Sequence, residues 1–412
     1  MKKKVLFISY AFPPALNPES IQSSRYVKYL SCNNWQSSVV CADYQTLFSK
    51  SVDVDLINSL PSDVAVYPVQ PQGPLFVNQF LSYDLLRYPD GKIRWYKPAV
   101  KKALSLIQKN DFDVIHSWAM DLVSNLVGLK LKEETGLPWI SHFSDPWVDN
   151  PYHFYGPLSR YFNLKWEKNV MKNSDMIVFV SEETKKLVLK KYPDKIHEKC
   201  IVIPHCFDAE IIAQLPETKK PDKTKFTLTY TGNFYLQRSP RGLFISLKNL
   251  LLKRPELKNH LNIQIVGKLP NHYKRLVQQL HLEKIVTITG TVPYLESLQY
   301  LKNADVLLVI DAPSKTPSVF LPLKLIEYIG FKKPILGITP LEGESASLIR
   351  SLRGCVVSPD DIPGIEKAIL FLYEKFKENS LSEFSYGDEE IEPYNAYTTS
   401  KRLAECFDKV CS

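Results

Sequence analysis

Residues 321–337 read LPLKLIEYIGFKKPILG, and this stretch carries the most information about the fold. Pro322 suits the first turn of a helix, because the backbone N–H that proline lacks would have no partner there. Gly330 suits the helix end, where a left-handed residue is often needed. Pro334 then opens an apolar run of strand length. The pattern predicts a short helix that leads into a buried strand.

Lys324 and Glu327 are three residues apart and therefore share one face of that helix. A cation and a carboxylate at a helix start, in front of a parallel strand, could hold a phosphate and a sugar diol together. The same two residues could instead form a surface ion pair, which contributes little to stability. Taken alone, the stretch leaves both interpretations open.

Length and composition limit the number of domains and the kinds of ligand to be expected. A chain of 412 residues suggests two domains, and a net charge of +8 fits an anionic ligand or membrane edge without favouring a nucleic-acid binder. The seven cysteines include no C-x-x-C, which favours free thiols in a reducing cytosol. The apolar run at residues 5–8 is too short for an export signal, and no stretch approaches the ~20 apolar residues of a membrane span.

Short apolar runs alternate with helical stretches, which favours parallel sheets covered on both faces. Predicted strands are residues 5–10, 38–41, 64–67, 114–116, 139–141, 176–180, 201–203, 226–230, 263–266, 286–289, 306–310, 335–338 and 356–357. Predicted helices include residues 21–30, 98–108, 182–191, 240–253, 272–281, 294–301, 322–329, 345–352, 362–377 and 398–410. We therefore expect an α/β protein made of two doubly wound, Rossmann-like domains.

A polar stretch without apolar periodicity separates the two series of elements and is the best linker candidate. The predicted domains are residues 1–208 and 226–390, joined by the linker 209–225, and the C-terminal helix at 394–412 packs back on the first domain. Residues 68–97, rich in proline and aromatic side chains, are expected to form loops with a short helix. Ligands of open parallel sheets bind beyond the carboxyl ends of the strands, so two such domains would face a central cleft.

The loops of the first half offer two polar candidates. The first loop, residues 11–25, contains no glycine, and the absence of a G-x-G-x-x-G motif counts against a nicotinamide dehydrogenase. His142 and Asp145 follow a predicted strand, where they could bind sugar hydroxyls. Equally, His142 could be a buried structural histidine and Asp145 could form a turn before Pro146.

The loop that opens the second half is the second strongest signal. Gly232 permits close approach of a ligand to the backbone. Arg238 and Arg241 lie at the next helix start, where the helix dipole disfavours a cation unless an anion is also bound. Arginine matches phosphate oxygens with two parallel hydrogen bonds, although exposed surface arginines would look the same. The turn at Lys268 and the loop at 289–293 could offer peptide groups to a nucleobase.

Five segments together resemble the retaining glycosyltransferases of the GT-B fold, family-four type, and the resemblance spans nearly the whole chain. They read FPP at 12–14, VIPHCFD at 202–208, YTGNF at 230–234, GTV at 290–292, and the stretch 321–336. The resemblance implies a nucleotide-diphospho-sugar donor and an acceptor that is a saccharide or a lipid-linked saccharide, with no nucleic acid. It also implies a role in surface polysaccharide synthesis.

The resemblance also assigns residues. Glu327 would accept hydrogen bonds from the ribose hydroxyls, Arg241 and Arg238 would be phosphate cations, and Lys324 would approach the diphosphate or the donor sugar. Either His142 or Asp145 would contact the donor sugar. The candidate catalytic residues are thus Arg238, Arg241, Lys324, His142 and Asp145, and the candidate donor-binding residues are Gly232, Asn233, Glu327, Lys268 and Leu323.

Two positions depart from the family pattern. Val319 stands where the family often has a second glutamate, so recognition of the donor sugar must differ. Residues 17–20, NPES, replace a glycine-rich first loop, which weakens any prediction about the acceptor. A sugar-nucleotide epimerase on the same fold, or a non-catalytic nucleotide-sugar-binding or scaffold protein, are the alternatives.

We expect no cofactor and no metal, because no D-x-D pair stands in a suitable loop and the cations could stabilise the leaving group. The expected location is the cytoplasm, and the lysine- and aromatic-rich first half permits peripheral contact with the inner face of a membrane.

Overall fold

The computed structural model describes residues 2–44, 52–72, 91–153, 155–217, 222–234, 237–314 and 317–412. The chain divides into two compact units, one of Met1–Cys206 with Ala396–Ser412 and one of Phe207–Asn395. Each unit is a parallel sheet with helices between consecutive strands.

The first unit contains a sheet of order β3-β2-β1-β4-β5-β6-β7. Its strands are β1 Lys3–Ser9, β2 Trp35–Ala42, β3 Ala65–Val69, β4 Val114–Ala119, β5 Trp139–Phe143, β6 Met176–Phe179 and β7 Cys200–Val202. Its helices are α1 Pro18–Leu30, α2 Asp55–Asn58, α3 Ile93–Ile107, α4 Val123–Thr135, α5 Pro157–Asn173, α6 Glu182–Leu189 and α7 Asp194–His197.

Strand β1 shows why this sheet is covered on both faces. Val5 and Phe7 pack with the buried side of α1 and with the C-terminal helix, whereas Leu6 and Ile8 pack with residues of α3 and α4. Successive side chains of a strand point to opposite faces, so a continuous apolar run requires a helical layer on each side.

The second unit contains a sheet of order β10-β9-β8-β11-β12-β13. Its strands are β8 Phe226–Thr231, β9 Leu261–Val266, β10 Val286–Gly290, β11 Val306–Ile310, β12 Ile335–Ile338 and β13 Cys355–Val357. The helices that follow α7 are α8 Ala209–Gln214, α9 Arg241–Lys253, α10 Asn271–Gln279, α11 Tyr294–Asn303, α12 Leu323–Ile329, α13 Glu344–Ser351, α14 Ile362–Lys377, α15 Asp388–Ile391 and α16 Ala396–Cys411.

The structure differs from the sequence prediction at several elements. Helices α4 and α5 were not among the helices that the sequence prediction named, and α3 begins five residues before Pro98, which lies inside it. The segment 68–97, expected to be mostly loop, holds the end of β3 and the start of α3, and its residues 73–90 lie outside the described part. The expected linker begins with α8, whose first turn is capped by the Asp208 carboxylate, and residues 218–221 lie outside the described part.

Helix α16 belongs to the first unit. The Arg402 side chain donates to the Val202 carbonyl oxygen at 2.6 Å, and the Lys3 ammonium lies 2.7 Å from the Asp408 carboxylate. Leu403 and Phe407 are buried against the same sheet face as α1. An apolar stripe thus fixes the helix on β1, while its charged residues remain at the surface.

Candidate functional site

A group of polar side chains lies in the second unit where the strand order reverses. Strands β8 and β11 are neighbours, but the chain runs outward from β8 to β9 and β10 before it returns to β11. Open parallel sheets bind ligands outside the carboxyl ends of the strands at such a point. Gly232 follows β8, and Asp311 follows β11.

Lys324 places its ammonium directly over the end of β8. Its Nζ donates to the Tyr230 hydroxyl at 2.5 Å and lies 3.9 Å from the centre of the Tyr230 ring. A Cβ atom added to Gly232 would lie 3.0 Å from this Nζ, and the φ angle of Gly232 is +112°. Both the backbone conformation and the approach of Lys324 therefore favour glycine at this position.

Arg238 lies beside Lys324 and is held by a buried carboxylate. Its Nη2 is 3.3 Å from Asp311 Oδ1, and Asp311 Oδ2 accepts from the Thr339 hydroxyl at 3.4 Å. Burial lowers the pKa of Lys324 well below its usual range, the Arg238 guanidinium lowers it further, and Asp311 raises it. Desolvation and the neighbouring guanidinium thus disfavour the charged form of Lys324, and a bound anion would favour it.

Glu327 lies one turn further along α12. It is buried, and its Oε2 accepts from the Tyr294 hydroxyl at 2.6 Å. The next residue, Tyr328, accepts a hydrogen bond from the Thr231 backbone N–H at 2.8 Å. These two bonds fix the orientation of α12 relative to the end of β8. Leu323, the first residue of α12, is half-buried.

The loops after β8 and β9 contact one another. The Lys268 backbone N–H donates to Asn233 Oδ1 at 2.8 Å, and the Phe234 N–H donates to the Lys268 carbonyl at 3.1 Å. A Cβ atom on Gly267, whose φ is +135°, would lie 2.3 Å from the Gly232 carbonyl oxygen. Gly232, Asn233 and Lys268, three of the predicted donor-binding residues, are thereby brought together.

Arg241 is placed differently from Arg238. It is the first residue of α9 and is exposed, and its backbone N–H donates to the Ser239 hydroxyl at 3.2 Å. A Cβ atom on Gly242 would lie 2.6 Å from the Pro359 carbonyl oxygen, so this glycine allows α9 to pack closely on the neighbouring loop.

His142 and Asp145 belong to the first unit. The His142 ring stacks on Trp118 with centroids 3.7 Å apart, and burial lowers its pKa well below the usual range, with smaller contributions from His116 and His205. The imidazole is therefore neutral near pH 7. Burial raises the pKa of Asp145 to about 6, and no ion pair with another described residue offsets this.

The strand order of the first unit reverses between β1 and β4, and two carboxyl groups lie there. Glu19, in the first turn of α1, is buried and accepts from the Ser9 hydroxyl at 3.3 Å. Glu19 also hydrogen-bonds to Asp121, and burial raises the pKa of both groups. The pair therefore holds a proton at a pH where isolated carboxyl groups would be ionised.

Sequence reasoning did not find Asp311, Thr339, Tyr230, Tyr294, Glu19 or Asp121. For Asp311 a signal exists, because it directly follows the apolar run of β11, and polar residues at strand ends are site candidates. The two tyrosines had no such signal, since their roles depend on contacts between distant elements. Among the described residues, no cluster of three or more histidine, cysteine, aspartate or glutamate side chains could hold a metal ion.

Family models match both parts of the chain. Residues 34–211 match the model described as Glycosyltransferase Family 4, and residues 225–375 match the model described as Glycosyl transferases group 1. No curated protein matches the chain. The predicted class of two Rossmann-like domains is confirmed by the two sheets and by solved structures that are similar along their whole length.

Three of those solved structures illustrate the similarity. Sucrose-phosphate synthase from Thermosynechococcus elongatus has a TM-score of 0.72 at 15% identity, over 99% of this chain and 98% of that one. Anabaena HepE, solved with UDP and glucose, has a TM-score of 0.68 at 16% identity over 98% of each chain. A putative UDP-N-acetylglucosamine 2-epimerase from Listeria monocytogenes has a TM-score of 0.60 at 12% identity, over 98% of this chain and 95% of that one. Identities this low show a shared fold.

Proposed function

Because the two matched segments make this chain a glycosyltransferase of the GT-B fold, we propose that it transfers a sugar from a nucleotide-diphospho-sugar with retention of configuration. The proposed acceptor is a saccharide or a lipid-linked saccharide in surface polysaccharide synthesis. The proposed location is the cytoplasm, with peripheral contact at the inner face of the membrane. Within the described part of the chain, no helix has the length and apolar character that crossing a bilayer requires.

The observation that carries the proposal is the pair of cations over the end of β8. The Arg238 guanidinium disfavours the charged form of Lys324, and the Asp311 carboxylate favours it. A diphosphate bound at the two side chains would favour the ammonium form and recover the cost of desolvating both groups. The position at the strand-order reversal is also where open parallel sheets take their ligands.

In the proposed reaction, the bond between the anomeric carbon and the diphosphate oxygen breaks, and the acceptor oxygen bonds to that carbon on the same face. The departing diphosphate gains negative charge and takes the proton of the acceptor hydroxyl. One fixed donor aimed at such developing charge contributes ~3 kcal/mol, about a hundredfold in rate. Lys324 and Arg238 are the proposed donors, with the exposed Arg241 as a third cation.

Lys324 gains a second role from its lowered pKa. An anion within contact distance favours the charged form of the amine and raises its pKa. Donor binding would therefore be accompanied by proton uptake at Lys324 in the pH range between the two values. The proton is then held at Nζ, where it can form a hydrogen bond to the leaving oxygen.

The remaining residues would position the substrate. Glu327, oriented by Tyr294, is the proposed acceptor of hydrogen bonds from the ribose hydroxyls. The loops that join Gly232, Asn233 and Lys268 present peptide groups for the nucleotide. In the first unit, either His142 or Asp145 is the proposed contact to a sugar hydroxyl. In the second unit, Leu323 is a proposed donor-binding residue. We propose that no metal is needed, because fixed cations supply the charge.

A thermal-shift screen with nucleotides and nucleotide sugars tests the binding site. A ligand at 100 times its dissociation constant adds ~2.7 kcal/mol to the stability of the folded state. We expect a shift for the wild type and for the exposed-lysine control Lys258→Ala, but none for Lys324→Ala or Arg238→Ala. The proposed site would be wrong if these two variants kept the full shift while their own stability was unchanged.

Transfer and its alternatives are separated by product analysis. Incubation of a radiolabelled donor with acceptors should give a labelled glycoside that keeps the anomeric configuration, and chelation of divalent metals should leave its rate unchanged. An epimerised donor formed without acceptor would favour the epimerase, whose fold is shared by the Listeria protein. Donor binding without turnover across many acceptors would favour a binding or scaffold role, which the apolar Val319 would suit.

A further inference from the structure

Helix α5 of the first unit exposes large apolar side chains. Leu158, Tyr161 and Phe162 are 54%, 63% and 38% exposed. Residues spaced three and four apart lie on the same side of a helix, so these three form one patch near the amino end of α5. Scattered surface hydrophobics are ordinary, but three on one helical turn form a contiguous patch that calls for a partner.

The same side of the helix is positively charged toward its carboxyl end. Lys165, Lys168 and Lys172 continue the three- and four-residue spacing, and all three are exposed. The single acidic residue of the helix, Glu167, is buried, and it pairs with Lys191 at 2.7 Å and accepts from the Tyr192 hydroxyl at 2.7 Å. We call these residues the α5 face: Leu158, Tyr161, Phe162, Lys165, Lys168 and Lys172.

A groove of about 420 Å³ lies beside this face, between α5 and helices α3 and α4. Its wall includes Leu126, Leu129 and Trp166, and it shares Phe162 and Lys165 with the α5 face. Lys130, Glu133 and Asn169 also line it, so apolar surface extends inward from the patch beside charged and polar groups.

We propose that the α5 face seats the first unit on an anionic lipid bilayer. Leucine and aromatic side chains partition into the boundary between headgroups and acyl chains, and lysines are attracted to an anionic surface. The groove beside Phe162 accommodates a displaced acyl chain. The α5 face would thus make the membrane contact that is part of the proposed function, on which this inference rests.

Charge complementarity distinguishes this partner from a second copy of the chain. A twofold interface built on the α5 face would bring two sets of three lysines together without an exposed carboxylate on the helix to offset them. An anionic bilayer neutralises the same charges and also takes up the apolar residues.

Vesicle flotation without any substrate tests the surface separately from catalysis. The probes are vesicles of phosphatidylcholine alone and of phosphatidylcholine with 30% phosphatidylglycerol. We expect the wild type to bind the anionic vesicles at least tenfold more tightly than the neutral ones, and to lose the preference at high salt. The triple variants L158S/Y161S/F162S and K165A/K168A/K172A should each bind the anionic vesicles at least tenfold more weakly.

The matched control is L252S/L295S/L341S, which removes three exposed apolar side chains from the second unit and should bind like the wild type. Thermal melts and the nucleotide-induced shift of each variant show that folding and the candidate site are intact. Unchanged vesicle binding by both α5 variants would overturn the proposal. A dimer of the wild type that dissociates in L158S/Y161S/F162S, measured by light scattering, would overturn it in favour of a second copy.

Discussion

Arg238 Nη2 lies 3.3 Å from Asp311 Oδ1, and the two side chains are only 17% and 8% exposed. Asp311 directly follows β11, whereas Arg238 precedes α9, so the pair joins two loops at the carboxyl end of the second sheet. The Thr339 hydroxyl holds the other carboxylate oxygen. Asp311 is therefore a positioning residue, which orients Arg238 and moderates its repulsion of Lys324.

Replacement of this carboxylate should change the pH dependence of the reaction. Asp311 raises the pKa of Lys324, so Asp311→Asn should lower that pKa further. The ammonium would then be lost at a lower pH, and the alkaline limb of the kcat profile should move toward neutral pH. We expect kcat to fall about tenfold or more, in keeping with loss of one oriented charge. The Asp311→Glu variant should recover part of the rate, and the exposed Asp360→Asn should match the wild type. A variant with reduced kcat and an unshifted profile would contradict this role.

Substitution of Gly232 should affect both stability and nucleotide binding. A methyl group there meets Lys324 Nζ and is added to a residue with φ of +112°. We expect Gly232→Ala to lose ~1 kcal/mol or more of unfolding free energy and to abolish the nucleotide-induced thermal shift, because the ammonium must move.

Gly136→Ala is a matched control, since the φ of Gly136 is +71° and no described atom lies within 4 Å of an added Cβ. It should show the backbone cost while it keeps the nucleotide response. Equal nucleotide responses in the two variants would mean that the approach of Lys324 to Gly232 is irrelevant to binding.

Much of this architecture could be predicted from sequence, because it depends on local patterns. The apolar runs of β1 and β11 are read without tertiary contacts. Gly330 does end α12, but with a right-handed φ of −61°, so the expected left-handed residue was wrong. A Cβ there would lie 2.6 Å from Ile212, so close packing favours the glycine. Helices α4 and α5 were not named in advance: α4 buries the polar Ser124 and Asn125 beside its apolar residues, and α5 exposes aromatic residues where a simple amphipathic pattern expects polar ones. The start of α3 was misjudged, since Pro98 is tolerated within its first two turns.

Within the candidate site, the sequence located cations and loops but not their partners. Lys324, Gly232 and Arg238 were found through helix-start and strand-end rules. Their contacts with Tyr230 and Asp311 join elements up to 94 residues apart, and no local pattern encodes such a distance. For the same reason, the sequence alone did not decide whether His142 and Asp145 contact a sugar or are structural residues.

The hydrogen bond between Tyr294 and Glu327 should set how well the ribose is recognised. Tyr294→Phe removes the donor at 2.6 Å and leaves the carboxylate less constrained. A hydrogen bond to a charged group contributes ~1.5–3 kcal/mol, so nucleotide affinity should fall about tenfold or more. Titration calorimetry with ribo- and 2′-deoxyribonucleotides should show a smaller difference between the two sugars in the variant. If Tyr294→Phe discriminates as well as the wild type, Glu327 does not contact the ribose.

A substitution at Asp145 tests whether this residue serves the reaction at a cost to the stability of the fold. Burial raises its pKa to about 6 from 3.8, so at pH 7 its ionised form destabilises the folded state. Asp145 binds a proton more tightly in the folded state than in the unfolded state. The free energy of unfolding therefore rises as pH falls from 7 through 6 toward 3.8. Asp145→Asn should raise stability at pH 7 by up to about 3 kcal/mol and should remove this pH dependence. We expect the same variant to lose transfer activity. A more stable variant with full activity would leave Asp145 without a role in the reaction.

The buried histidines of the first unit should make it sensitive to mild acid. Burial lowers the pKa of His116 to about 3 and that of His205 to about 4, against 6.5 for an exposed group. Below pH 6.5 the unfolded chain binds protons that the folded state does not, so stability is complete above 6.5 and falls as pH decreases toward 4. All six tryptophans lie in the first unit, so urea unfolding followed by tryptophan fluorescence between pH 7.5 and 4.5 reports on it. His116→Leu should show a shallower loss of stability with acid, whereas the exposed His197→Asn in the same unit should follow the wild type. An identical slope in His116→Leu would show that His116 does not cause the acid sensitivity.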